Sequence, residues 1–404
     1  MSLAKIVKTT LPFWIAAIAY WILRTAMVGG IGGSVNPDIM ENPFVNASFI
    51  EKYATITLIL QKYFILLFYP HPLSCDYSFN QIPLTTFGNP MVLLGLAIYI
   101  FMAVWVILKI IKRNELSFFI LLYLIPLSLT TNILFNIGAP MGERFLYVSS
   151  WGFCLAVGYL LSVGFRVKEL RDLRSRTLLL AGFALLIVLF SIKTNIRNPD
   201  WKDNMSLFGK DVNSVPNSAK IHYYYANTKL IKYLDSDKAS EDSQVLLDVA
   251  EKHFTRSVEI NPKFHTAMYN LGRVNSERQN GVKAEEYLLR TLQLQPRHII
   301  SHELIAEVYG RLLNQPDKAL DHLNLLINEA GEATAKNYQA LGIVYGMMGD
   351  HPNAAKAFEN SLKQDPNNAG TLLNLGITFQ QLGDIRKGQE YMDKAFELDP
   401  SLKR

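Results

Sequence analysis

Five runs of about twenty apolar residues decide what this chain can fold into, because a helix rising about 1.5 Å per residue needs that length to cross a bilayer core of about 30 Å. They cover residues 10–28, 90–111, 116–137, 145–165 and 177–195. A sixth apolar stretch, 53–70, carries Lys62 near its middle and follows Glu51 and Lys52. It reads as an interfacial or re-entrant helix. Beyond about residue 197 charged and polar residues recur every few positions. A chain of 404 residues that is 50% hydrophobic and 19% charged is too apolar for one soluble globule of average make-up. The expectation is an all-α protein in two parts: a polytopic membrane domain over 1–197, with five spans plus the extra helix, and a second domain over 198–404.

Basic residues in short loops mark the cytoplasmic side of a membrane. The break KIIKRNE holds Lys109, Lys112 and Arg113, and RVKELRDLRSR holds Arg166, Lys168, Arg171, Arg174 and Arg176. Two spans separate them, so both fit inside. The segments HPLSCDYSFNQIP (71–83) and NIGAPMGER (136–144) then face outward, as does everything after residue 195. Lys5 and Lys8 fit the same scheme if 53–70 does not cross. The sequence therefore predicts a multi-pass integral membrane protein whose second domain is extracytoplasmic, in a periplasm or lumen.

Polar groups converge on the predicted outer face. Arg24 lies near the outer end of the first span, against the positive-inside trend, and Glu143 and Arg144 open the fourth. Two readings fit these arginines: snorkelling to headgroups with nearby carboxylates as partners, or gripping a phosphate through a bidentate fork. Cys75 and Cys154 sit in unlike settings and form no disulfide framework, and eight histidines show no metal-ligand spacing. A net charge of +5 leaves no basic footprint for nucleic acid.

The second half repeats itself. Prolines recur in Asn-Pro, Gln-Pro and Asp-Pro pairs at 262, 296, 366 and 400, spaced 34, 70 and 34 apart, and Leu-Gly pairs at 271–272, 341–342 and 375–376 keep the same beat. Twelve residues after each of these glycines stand Ala284, Ala354 and Gly388. This resembles the 34-residue tetratricopeptide pattern, a helix-turn-helix with small residues where its helices touch. The intermediate repeat is two residues longer and keeps Ala306 and Ala319 in the corresponding places. IHYYYANTKLIKYL reads as the first helix of an earlier repeat, with DSDKASEDSQ inserted in its turn. Stacked repeats make a solenoid with a concave groove for a protein or peptide ligand. Asn270 and Asn374, each two positions before a repeat glycine, are candidates to line it or simply solvated helix positions. Tyr269, Tyr338 and Met268 read as packing.

A membrane domain bearing ENPFV, LLFYPHPLSCDYSFNQIP, GERFLYVSSWGFCL and TNIRNPDWKDNMSLF, leading directly into such repeats, is similar to the transmembrane and tetratricopeptide-repeat-containing family of O-mannosyltransferases and its bacterial relatives. The resemblance covers nearly the whole chain. It implies membrane-embedded transfer of a sugar from polyprenyl phosphate to a protein hydroxyl. That family's catalytic carboxylate sits in an early exterior loop, and no matching acidic loop precedes Arg24. The chain accordingly reads as a carboxy-terminal portion, with an upstream catalytic half as an expected partner beside membrane lipids.

Such a transfer needs a base for the hydroxyl proton and a cation for the departing phosphate. The candidates here are Arg24 and Arg144 for the phosphate, Glu143 to orient them, and His71, Asp76 and Tyr77 to shape the loop around sugar or acceptor. The same loop also reads as a proline-rich turn pinned at the interface by Tyr77 and Phe79. The rival from another class is a non-catalytic membrane anchor that displays the groove as a scaffold. The sequons at 46–48 and 204–206 fall on the expected outer side.

Overall fold

In a computed structural model the described residues are 3–28, 39–40, 42–133, 137–167 and 177–403, and among them every regular element is a helix. Much of the glycine-rich segment before ENPFV, and the basic break from Lys168 to Arg176, lie outside this set, as do the side chains of Lys5 and Arg24. The chain divides into two compact units, Met1–Asn198 and Pro199–Arg404.

The first unit contains α1 (Leu3–Val28), α2 (Phe49–Leu66), α3 (Pro90–Lys109), α4 (Glu115–Leu129), α5 (Leu146–Gly164) and α6 (Thr177–Arg197). Four helical stretches, Val7–Met27, Pro90–Lys109, Glu143–Gly164 and Leu179–Trp201, are long and apolar enough to cross a membrane. Their surfaces suit lipid: α3 exposes Phe101, Ile107 and Leu108, and α6 exposes Leu185, Ile187 and Val188.

The expected span over 116–137 is shorter than its apolar run. Helix α4 stops at Leu129 after 15 residues, about 22 Å at 1.5 Å per residue. Thr130 and Thr131 turn their hydroxyls back onto Leu127 O, and Asn132, at φ 60°, holds the following loop by accepting from Ile137 N and donating to Ala139 O. Polar side chains in the apolar run thus end the helix. Small residues let these helices meet closely: a Cβ on Gly152 of α5 would run into the backbone of Leu122 and Tyr123 on α4.

The charges that set 53–70 apart have local explanations. Glu51 forms a capping box with Ser48, accepting from Ser48 N at 2.9 Å, so α2 begins at Phe49. Lys62 points outward while Ile56, Ile59 and Tyr63 are buried, and α2 packs along α3.

The second unit opens with α7 (Asn204–Ser214) and continues as five helix pairs: α8 (Ala219–Leu234) with α9 (Glu241–Ile260), α10 (His265–Glu277) with α11 (Gly281–Leu294), α12 (Ile299–Glu307) with α13 (Pro316–Asn324), α14 (Ala335–Met347) with α15 (His351–Gln364), and α16 (Ala369–Gln381) with α17 (Ile385–Leu398). At three of the repeat crossings the small residue is glycine. A Cβ on Gly272, Gly342 or Gly376 would stand 2.6–2.7 Å from Leu288, Phe358 or Met392. Side-chain caps start the helices at Ser218, Ser240, Asn280, Thr334, Asp350, Asn368 and Asp384. Of the insertion in the first turn, only residues before Glu241 lie outside helix; Glu241 to Gln244 form the first turn of α9.

The longer third repeat absorbs its two extra residues one per helix. Each helix ends in a π turn, Val308–Leu312 after α12 and Leu325–Glu329 after α13, closed by Leu313 N to Val308 O and Ala330 N to Leu325 O.

Candidate functional site

The loop after α2 is built around one carboxylate. Tyr63, fully buried on α2, accepts from Gly142 N at 2.9 Å and donates to Gly142 O at 3.2 Å, which fixes the chain entering α5. The next residue, Glu143, accepts through Oε1 from Ser74 N at 2.8 Å and from the Tyr77 hydroxyl at 2.5 Å. Tyr77 and Glu143 thus tie the loop to the start of α5. Their work in this geometry is structural: Glu143 anchors the loop.

Asp76 is committed locally. Its two oxygens accept from Ser78 N at 2.8 Å and Ser78 Oγ at 2.7 Å, a turn-closing arrangement that leaves it poorly placed as a base. Arg144 is exposed; its guanidinium lies 4.9 Å from the Phe145 ring centroid and reaches Cys75 O at 3.5 Å. His71 is exposed and accepts from Lys193 Nζ at 3.3 Å through Nδ1. Arg24 cannot be placed, since its side chain lies outside the described residues.

Lys193 and Arg197, one turn apart on α6, were missed in the sequence. Arg197 is close enough for its charge to act on Glu143. Both stand at the end of a span expected to face outward, against the positive-inside trend, and that was the available signal. Arg144, Lys193 and Arg197 thus stand near the loop whose Glu143 already accepts two hydrogen bonds.

In the second unit a groove of about 1030 Å³ runs over α10, α12 and α14. Tyr269 lines it, whereas Met268 is buried. Asn270 does not line it: the side chain is 5% exposed and bonded to the Tyr223 hydroxyl, because α8 of the preceding repeat covers that face of α10. Asn374 is half-buried on α16, away from this groove.

Helices suited to a membrane, joined in one chain to a helical-repeat solenoid, define the class: a membrane protein with tetratricopeptide repeats. A family profile described as tetratricopeptide repeat matches residues 369–402. Over 90% of its length the chain is 24% identical to Protein O-mannosyl-transferase TMTC3 of Homo sapiens, covering 40% of that protein. It is 27% identical to Protein O-mannosyl-transferase TMTC1 of Mus musculus over 59% of this chain and 24% of the relative. The chain is thus similar to the TMTC proteins and carries a tetratricopeptide repeat, and it spans well under half the length of either relative. Among solved structures, the tetratricopeptide protein YrrB aligns at a TM-score of 0.40 and 22% identity, over 48% of this chain and 92% of its own.

Proposed function

We propose that the membrane unit binds the phosphate of a polyprenyl-phosphate sugar during glycosyl transfer to a protein hydroxyl, while the repeats hold a protein partner. One observation carries the reading: Arg144, Lys193 and Arg197 gather around a loop whose carboxylates already have donors. The names of the O-mannosyl-transferase relatives support the same chemistry. In the transfer the anomeric carbon exchanges its bond to phosphate oxygen for one to the acceptor oxygen. The acceptor proton goes to a base, and the phosphate leaves with added negative charge. Arg144 and Lys193 stabilise that charge. Asp76 and Glu143 are not assigned as the base, since hydrogen bonds occupy both.

The test is binding of undecaprenyl phosphate to the purified chain in detergent. A charge-assisted contact contributes about 1.5 to 3 kcal/mol, so Arg144→Ala and Lys193→Ala should each weaken binding by about one to two orders of magnitude. Unchanged affinity in both, with the fold intact, would overturn the phosphate role. The bonded state of Asp76 and Glu143 also fits a second reading, a non-catalytic membrane-anchored scaffold, and that result would favour it.

A further inference from the structure

We propose that the groove over α10, α12 and α14 takes a short apolar segment of a partner protein that carries an acidic side chain. The partner so described belongs to the protein-holding role of the repeats and depends on it.

The groove leaves apolar area uncovered inside a concavity. Ile300, Ile343 and Met347 line it and are 47%, 44% and 43% exposed, although Ile305, Leu326 and Val344 of the same repeats are buried in the core between helices. Water in contact with that area is displaced by an apolar side chain of a ligand.

The charges around the groove leave one cation unmatched. Glu303 pairs with Lys336 at 2.6 Å, Glu307 with Arg311 at 3.1 Å, and Glu277 with Lys238 at 2.8 Å. Arg273 lines the same groove and has no ion-pair partner among the described residues. A ligand carboxylate complements it, and a ligand lysine would be repelled.

The wall is open where a backbone would come close. Gly310 lies in the π turn Val308–Leu312 and lines the groove. A Cβ there would meet only Met347 Sδ, at the ordinary contact distance of 3.9 Å, so packing does not require glycine. At Gly342 it does. An uncrowded glycine weakens its helix and leaves room for a ligand main chain.

The experiment pans the full-length chain in detergent against a phage-displayed library of short random peptides, then measures the enriched peptides by fluorescence anisotropy. Enriched sequences are expected to combine apolar residues with an Asp or Glu. Arg273→Glu should weaken binding by about tenfold or more and restore it to a peptide whose acid is replaced by Lys. Gly310→Leu should block binding to a similar extent, with helicity and melting temperature retained. If Gly310→Leu fails to fold, the charge reversal still decides. Failure to enrich any peptide overturns the protein-holding role itself. Peptides that lack the apolar and acidic signature, or that bind parent and Arg273→Glu alike, overturn this partner chemistry alone.

Discussion

The Tyr77 hydroxyl donates to Glu143 Oε1 at 2.5 Å across 66 positions of sequence. This bond, with Ser74 N on the same oxygen at 2.8 Å, makes the 71–83 loop and the start of α5 one piece. Arg144 follows Glu143 directly, so the anchor also sets where its guanidinium stands.

Tyr77→Phe should therefore loosen the loop without removing a cation. A hydrogen bond to a charged acceptor contributes about 1.5 to 3 kcal/mol, and its loss should lower the thermal midpoint and speed proteolysis within 71–83. Phosphate affinity should fall less than in Arg144→Ala. An unchanged midpoint and digestion pattern would show that the loop is held by other means.

At Arg144 itself, lysine keeps the charge and loses the planar fork. Arg144→Lys should recover only part of the affinity lost in Arg144→Ala. Full recovery, measured with the same undecaprenyl phosphate titration, would mean that a point charge suffices.

The second unit should lose stability in acid. His222 Nδ1 lies 2.8 Å from His253 Nδ1 with its Nε2 on Pro216 O, and His302 repeats this with His322 and Pro296 O. The carbonyl takes a proton from Nε2 in each case, so Nδ1 of the same neutral ring accepts from the partner histidine. Burial lowers His253 and His322 from 6.5 to about 4, helped by the facing His222 and His302 and, at His253, by Lys252 and Lys229, while Asp321 opposes it at His322. The unfolded chain binds these protons first. Stability is full above about pH 6.5, falls as the pH drops below it, and has lost this contribution below about pH 4. The second repeat has Met268 and Tyr287 in the equivalent places. Replacing His222 by Met and His253 by Tyr should flatten part of the pH dependence of thermal melting, and an unaltered profile would assign acid sensitivity elsewhere.

The crossing glycines and the groove glycine should respond in opposite ways. Gly342→Ala places a Cβ 2.6 Å from the Phe358 ring and should destabilise by about 1 to 3 kcal/mol despite the better helix propensity of alanine. Chemical denaturation of the repeats checks it; a neutral or stabilising result would mean that Phe358 moves aside freely.

The side of the membrane on which the repeats lie is open to impermeant thiol labelling. Ser361 is buried and donates to Ala335 O at 2.8 Å, so a reporter belongs at the exposed Asn367. In a background with Cys75 and Cys154 replaced by Ser, Asn367→Cys should label in sealed right-side-out vesicles. Protection there would reverse the orientation, and with it the outward placement of the phosphate site.

The repeat architecture was legible because its constraint is written at fixed spacing: Gly272, Gly342 and Gly376 recur where a Cβ has no room. The extent of α4 was not, since an apolar run from 116 to 137 does not reveal that Thr130, Thr131 and Asn132 fold their side chains back onto the chain. The loop around Glu143 was readable as a cluster of polar residue types. Which donors meet Glu143 depends on approach across tens of residues, whereas Asp76 is held by Ser78 only two positions on. Lys193 and Arg197 hid in the polar end of an apolar span. Asn270 looked like a groove residue because periodicity gives the helix face but not how much of it the neighbouring repeat covers.

The two π turns give the solenoid a tolerance that a rigid lattice would lack. One added residue in an ordinary helix rotates all that follows by about 100° and would carry the next crossing glycine out of register. Here each surplus residue is taken up where it occurs, before the next helix begins, and the phase is restored by Gly342. Removing a single residue from each turn should therefore bring the third repeat to the length of its neighbours in an array that still folds, with a groove whose wall near Gly310 is drawn in. A receptor surface of this type can change its local width by length alone, leaving every packing residue of the scaffold unchanged.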